Sequence, residues 1–158
     1  YEEAIKCYDK ALEIDPGNVE ARNGKINAWE QNGNSLSSQN KYEEAIKCYD
    51  KALEIDPGNT QIWVKKGWTT FCSLDKDVGN EEAAIREAIK YFDKALEIDS
   101  NNANLWTEKG ELLSFDICCM EEAIDCYRKA LEIDPSNYAA EDRLKKAQER
   151  LSRILNSN

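Results

Sequence analysis

The 158-residue sequence contains no histidine, so it lacks the commonest general base and the commonest transition-metal ligand. Basic residues are also scarce. Its 21 Lys and Arg face 31 Asp and Glu, a net charge of −10. Affinity for DNA or RNA comes largely from cations that neutralise phosphates, so no nucleic-acid partner is expected. An anionic membrane surface is disfavoured on the same ground. No apolar run approaches the roughly 18–20 residues that span a bilayer, and no signal-peptide pattern opens the chain. The six cysteines are the only soft ligands. Cys7, Cys48 and Cys126 recur at one place in a repeated segment, Cys118 and Cys119 are adjacent, and Cys72 stands alone. None forms the Cys-x-x-Cys pairs of a zinc site. No metal and no cofactor is expected, and such thiols fit a reducing, cytoplasmic compartment. Phosphate-binding glycine loops and converging carboxylate pairs are missing as well, so the chain reads as no enzyme.

What is present is repetition. The segment Tyr1–Asn18, YEEAIKCYDKALEIDPGN, returns letter for letter at Tyr42–Asn59, and looser copies begin at Ala88 and Met120. A period of roughly 20–50 residues marks a solenoid, in which stacked units bury a core that no single unit could build. Within the first copy Ala4, Ile5, Tyr8, Ala11 and Leu12 form an amphipathic helical stripe. Asp15-Pro16-Gly17 stops that helix, because Pro16 restricts the residue before it and donates no backbone hydrogen bond. The stop recurs at Asp56-Pro57-Gly58 and Asp134-Pro135-Ser136; at Asp99-Ser100 the proline is missing and Asn101-Asn102 must turn the chain.

A second type of helix follows each stop. Trp63 to Gly67 and Trp106 to Gly110 share a Trp-x-x-Lys-Gly spacing. Glycine costs about 1 kcal/mol inside a helix relative to alanine, so its recurrence predicts a close helix crossing, with Ala4, Ala45, Ala88 and Ala123 as the small surface opposite. These residues resemble the tetratricopeptide repeat family, whose unit pairs helix A (aromatic, then small) with helix B (two alanines around an aromatic) and ends in proline. The pattern maps on Trp63, Gly67, Ala88, Phe92 and Ala95, then on Trp106, Gly110, Ala123, Tyr127, Ala130 and Pro135. The first complete unit matches at Trp29, Ala45, Tyr49, Ala52 and Pro57, with Arg22 in place of the leading aromatic and Ile26 in place of the small residue.

The resemblance implies an all-α fold, a right-handed α-solenoid of antiparallel helix pairs spanning 1–158 as one array. Residues 1–16 read as helix B of a truncated repeat, which implies a piece of a longer array. Residues 17–57 and 58–100 read as repeats with long A–B loops, 101–135 as a repeat, and 136–158 as a capping helix with Ala140, Leu144, Ala147, Leu151 and Ile154 on one stripe. Pro16 to Pro57 is 41 residues and Asp56 to Asp99 is 43, against about 34 for the family unit. The excess falls around Ser35–Lys41 and Ser73–Asn80, where a solenoid tolerates loop insertions cheaply.

For function, the resemblance implies recognition on the concave face lined by the A helices. In register, that face presents Asn23, Asn27 and Glu30 from the first pair, Gln61, Val64, Trp68 and Phe71 from the second, and Asn104, Thr107, Glu111 and Phe115 from the third. Family members that clamp the C-terminal carboxylate of heat-shock chaperones use Lys, Asn and Arg within this set. Here those places read Asn23 and Asn27, Val64 and Trp68, Thr107 and Glu111; the cations are absent, and Glu111 would repel a carboxylate. The expectation is a non-catalytic protein–protein interaction scaffold binding a partner peptide or helix, anchored by Trp68 with Phe71 and Phe115. Two alternatives stand beside it. One is a structural array that self-associates through the under-covered Ile5, Tyr8 and Leu12 of the first helix. The other is a regulatory fragment of a larger enzyme.

Overall fold

The computed structural model describes residues 1–73 and 81–156. Along them run α1 (Glu2–Ile14), α2 (Val19–Ser38), α3 (Tyr42–Ile55), α4 (Thr60–Ser73), α5 (Glu81–Ile98), α6 (Ala103–Leu113), α7 (Met120–Ile133) and α8 (Tyr138–Leu155). The fold is an all-α solenoid: α2 packs on α3, α4 on α5 and α6 on α7, and these pairs stack in chain order between α1 and α8.

One four-residue device makes the turns between repeats. The side chains of Asp15, Asp56 and Asp134 each accept the backbone N–H two residues on, at 3.0, 3.1 and 3.0 Å. Three residues after each Asp an asparagine caps the next helix: Asn18 accepts from Ala21 N, Asn59 from Ile62 N, Asn137 from Ala140 N. Each cap satisfies an orphan donor and contributes about 1 kcal/mol. In the turn without proline, Asn102 caps α6 and donates to Asp99 as well. The turn survives because the caps, not the proline, hold the geometry.

Gly67 and Gly110 lie at helix crossings. A Cβ on Gly67 would stand 2.9 Å from Phe92 Cε2 and 3.3 Å from the carbonyl oxygen of Ala88; on Gly110 it would stand 2.7 Å from Tyr127 Cε1 and 3.1 Å from that of Ala123. Phe92, Tyr127 and, in the first pair, Tyr49 are almost wholly buried.

Two expectations about the first complete repeat need correction. Ser35–Lys41 is not a long A–B loop: α2 continues through Ser38, leaving three residues before α3. The position facing helix B is held by Gly33, whose Cβ would meet Tyr49 Cε1 at 2.6 Å, rather than by Ile26. Trp29 then stands where Trp63 and Trp106 stand in later units. The extra length is thus two added turns of helix. Seven residues rotate by about 700°, within roughly 20° of two full turns, so both ends of α2 keep the same face inward. The other proposed insertion, at Ser73–Asn80, lies outside the described residues beyond Ser73.

A charged contact recurs between successive repeats. Lys25 pairs with Asp9 at 2.6 Å, Lys109 with Asp93 at 2.6 Å, and Lys66 with Asp50. Lys66 is only 8% exposed, and its ammonium also lies 4.4 Å from the Tyr91 ring centre and 5.6 Å from that of Trp63. Removing one partner of such a pair leaves the other charge poorly solvated, whereas an apolar replacement of the buried member does not. Asp50→Ala should therefore destabilise the array by about 1–3 kcal/mol, the cost of leaving a buried polar group unsatisfied, and Lys66→Met should cost less. Urea midpoints check the order; Lys66→Met as the more damaging change would overturn the account.

At the far end, α8 rests on the core through buried Ala140 and Ala147 and half-buried Leu144 and Leu151, while Glu141 and Lys145 face water. At the near end α1 packs against α2 with Ile5 buried and Tyr8 and Leu12 half-buried, leaving Ala4 and Cys7 exposed.

Candidate functional site

Helices α2, α4 and α6 present the A-helix surface, and Trp68 is its central feature. The indole is half-buried, edge-on to Phe92 at 5.8 Å, Phe71 at 6.2 Å and Phe115 at 6.4 Å. Its N–H donates to Glu108 Oε2 at 3.2 Å, so a carboxylate from the next repeat fixes the ring plane. A hollow opens on each side. One, of about 410 Å³, is bordered by Gln61, Val64, Lys65, Asn104 and Glu108. The other, of about 360 Å³, is bordered by Asn34, Ser37, Ser38, Lys65 and Thr69. Trp68 and Lys65 belong to both. The Lys65 ammonium bonds Glu30 at 2.5 Å, joining α2 to α4 across the surface.

The expected site residues divide into four sets. Glu30, Gln61, Asn104 and Trp68 lie on or beside these hollows. Asn23 and Asn27 are exposed near the start of α2 and do not line them; Asn27 accepts from Gln31 at 3.4 Å. This follows from the longer helix, which puts Glu30 and Asn34 seven residues on at the corresponding positions. Glu111 bonds Arg143 of α8 at 2.8 Å, and Phe115, two residues beyond the end of α6, is 49% exposed. Phe71, Val64 and Thr107 correct the expectation of an accessible contact. Phe71 is 4% exposed and packs against Phe115 at 5.0 Å. Val64 borders the first hollow but is only 8% exposed. The buried Thr107 hydroxyl donates to Ala103 O at 2.8 Å and accepts from Asn137. Helical spacing puts these residues on the right side of the helix, but neighbouring elements decide their depth.

Lys65, Asn34 and Glu108 were missed. Lys65 stands three residues before Trp68 and so shares its face, a signal the sequence contained. Asn34 was hidden by the register of α2, and Glu108 by its role as partner of an indole that only folding brings near.

Among the described residues no group of three or more His, Cys, Asp or Glu side chains is placed to hold a metal ion, and no helix is long and apolar enough to cross a membrane. The thiols differ sharply in accessibility. Cys48 and Cys126 are buried; Cys7, Cys72 and Cys118 are exposed. Burial pushes the Cys126 thiol up to about 11 and raises Cys48 too. A raised value keeps the thiol protonated, and the thiolate is the nucleophile. At pH 8 a disulfide reagent should label three thiols quickly and Cys48 and Cys126 only as the protein unfolds. Rapid labelling of Cys126 in the native protein would contradict this packing.

The sequence matches the tetratricopeptide repeat family over 26–59 and again over 1–18, 79–102 and 120–137, together more than half of the chain. The match over 26–59 begins three residues before Trp29, in agreement with Gly33 at the crossing. Among solved structures, the first such domain of Spaghetti (RPAP3), bound to the HSP90 peptide SRMEEVD, is 25% identical, with a TM-score of 0.63 over 81% of this chain and 94% of that one. The first domain of human RPAP3 is also 25% identical, with a TM-score of 0.66 over 84% and 97%. The Sgt2 domain from Aspergillus fumigatus, 18% identical, shares the fold at a TM-score of 0.66 over 84% and 82%. No curated protein matches the sequence. The glycine crossings, the turn device and these matches agree: the chain belongs to the tetratricopeptide repeat family.

Proposed function

We propose that the protein is a non-catalytic interaction scaffold that holds a segment of a protein partner on the surface formed by α2, α4 and α6. The observation that carries this reading is Trp68, a half-buried indole standing between two hollows and oriented by Glu108. An anchored aromatic surrounded by polar groups is the usual core of a binding hot spot. The RPAP3 domain bound to an HSP90 peptide supports a peptide as the kind of partner. The acidic end of that peptide finds no cation at the clamp positions of α2, α4 and α6. In the corrected register the clamp positions read Glu30 and Asn34, Val64 and Trp68, Thr107 and Glu111. The nearby Lys65 is engaged by Glu30. A segment that lays an apolar side chain beside Trp68 suits this surface better than an acidic tail. The exposed free thiols of Cys7, Cys72 and Cys118 suit a reducing, cytoplasmic setting for this role.

Peptide display against the intact chain tests the reading. Selected peptides should share an aromatic or aliphatic anchor, and Trp68→Ala should weaken them about thirtyfold, the equivalent of 2 kcal/mol. If no sequence is enriched, or if enriched peptides bind the variant equally well, the scaffold reading of this surface fails.

A further inference from the structure

Charge is spread unevenly along the array. Lys25, Lys65, Lys66 and Lys109, the lysines that bridge helices, each meet a carboxylate. The junction of α6 with α8 differs. There a cavity of about 210 Å³ is bordered by Glu111, Phe115, Met120, Arg143, Lys146 and Arg150: three cations and one carboxylate, in a chain of net charge −10. The cations are three and four residues apart and therefore share one face of α8. Glu111 holds Arg143. Lys146 has Asp142 of its own helix at 2.6 Å, but both side chains are more than half exposed, and such a pair exchanges readily with another anion. Arg150 donates to the carbonyl oxygen of Ser114 at 2.7 Å, a neutral acceptor, and forms no ion pair among the described residues. Beside them stands an exposed apolar group, Phe115 at 49%, with buried Met120 bordering the same cavity.

We propose that this cavity docks an acidic segment of a protein partner, with a Glu or Asp carboxylate facing Lys146 and Arg150 and an adjacent apolar side chain against Phe115. The cavity is smaller than the roughly 300–1,000 Å³ of small-molecule sites and accommodates a single side chain. The rest of the chain is acidic, yet its field is screened beyond about 8–10 Å at physiological salt. A short acidic segment therefore meets the local cations, while an extended polyanion also meets the carboxylates of the other repeats. The inference rests on the scaffold reading and names where, and by what chemistry, one end of the bound segment is held. It assigns α8 a role beyond capping.

The test is a titration of the isotope-labelled intact chain, followed by amide NMR, with the acetylated and amidated peptide Gly-Glu-Leu-Glu-Gly up to millimolar concentration. Gly-Lys-Leu-Lys-Gly and Gly-Glu-Ser-Glu-Gly are the controls. The largest shifts should fall at residues 114–120 and 143–150, with the lysine peptide inert and the serine peptide weaker. The double charge reversal Lys146→Glu and Arg150→Glu should weaken binding about tenfold or more; both side chains are exposed, so helical content should hold. Absence of shifts at 143–150, or equal binding by the double variant, overturns the proposal. Shifts centred on Trp68 would overturn it while leaving the scaffold reading intact. Concentration-dependent mass that the double variant abolishes and the glutamate peptide does not compete would assign the cavity to a second copy of the chain, also against the proposal.

Discussion

Gly110→Leu should destabilise the array by about 3 kcal/mol, at the upper end of what overpacking a well-packed core costs. The side chain has nowhere to go. Its Cβ alone would lie 2.7 Å from Tyr127 Cε1 and 3.1 Å from a backbone oxygen of α7, and Tyr127 is 1% exposed, with no room to swing aside. Helices α6 and α7 must separate. Leucine's better helix propensity offsets only about 1 kcal/mol of this. Gly110→Ala should cost less, and Gly17→Ala almost nothing, since the exposed turn offers ordinary contact with Asp15 at 3.4 Å. Because repeats contact mainly their neighbours, the damage should be local. Hydrogen exchange should accelerate first in α6, α7 and α8 while α3 keeps its protection. An unchanged or higher denaturant midpoint for Gly110→Leu would refute the crossing.

How much of this was legible in the sequence varies by residue, for physical reasons. The spacing of Trp106 and Gly110 revealed a crossing because glycine in a helix needs an explanation. Two added turns in α2 were illegible, since a seven-residue shift leaves the apolar stripe almost where it was. Ser35–Ser38 also has the composition of a loop. Packing of half-buried Leu36 against the core prolongs the helix there, while Ser38 and Gln39 bond back to the carbonyl of Ser35. Identical sequence does not fix burial either. Helices α1 and α3 share thirteen consecutive residues from their glutamate pair onward, yet Ala45 is fully buried and its counterpart Ala4 is exposed. Adjacent Lys65 and Lys66 make the same point: one is half-buried on the proposed binding surface, the other buried beneath Tyr91.

Phe71→Ala and Trp68→Ala should separate folding from binding, although the two rings lie three residues apart on one helix. Phe71 is 4% exposed, and its truncation leaves a void between α4 and the end of α6. Such changes cost roughly 3–5 kcal/mol, a fall in Tm of about 10 °C for a chain of this size. Trp68 is half-buried, so its truncation sacrifices less packing, the edge contact with Phe92 and the bond to Glu108. Its larger effect should be on the bound segment, about thirtyfold in Kd. Trp68→Phe refines the argument. It keeps an aromatic face but cannot donate to Glu108, so the ring loses its fixed plane and the carboxylate loses its partner. Affinity should fall between wild type and alanine, with Tm close to wild type. Paired measurements of Tm and of Kd for display-selected peptides decide the matter. Equal losses of Tm in both alanine variants, with Kd for Trp68→Ala unchanged, would make Trp68 a strut of the core and move the binding surface elsewhere on the array.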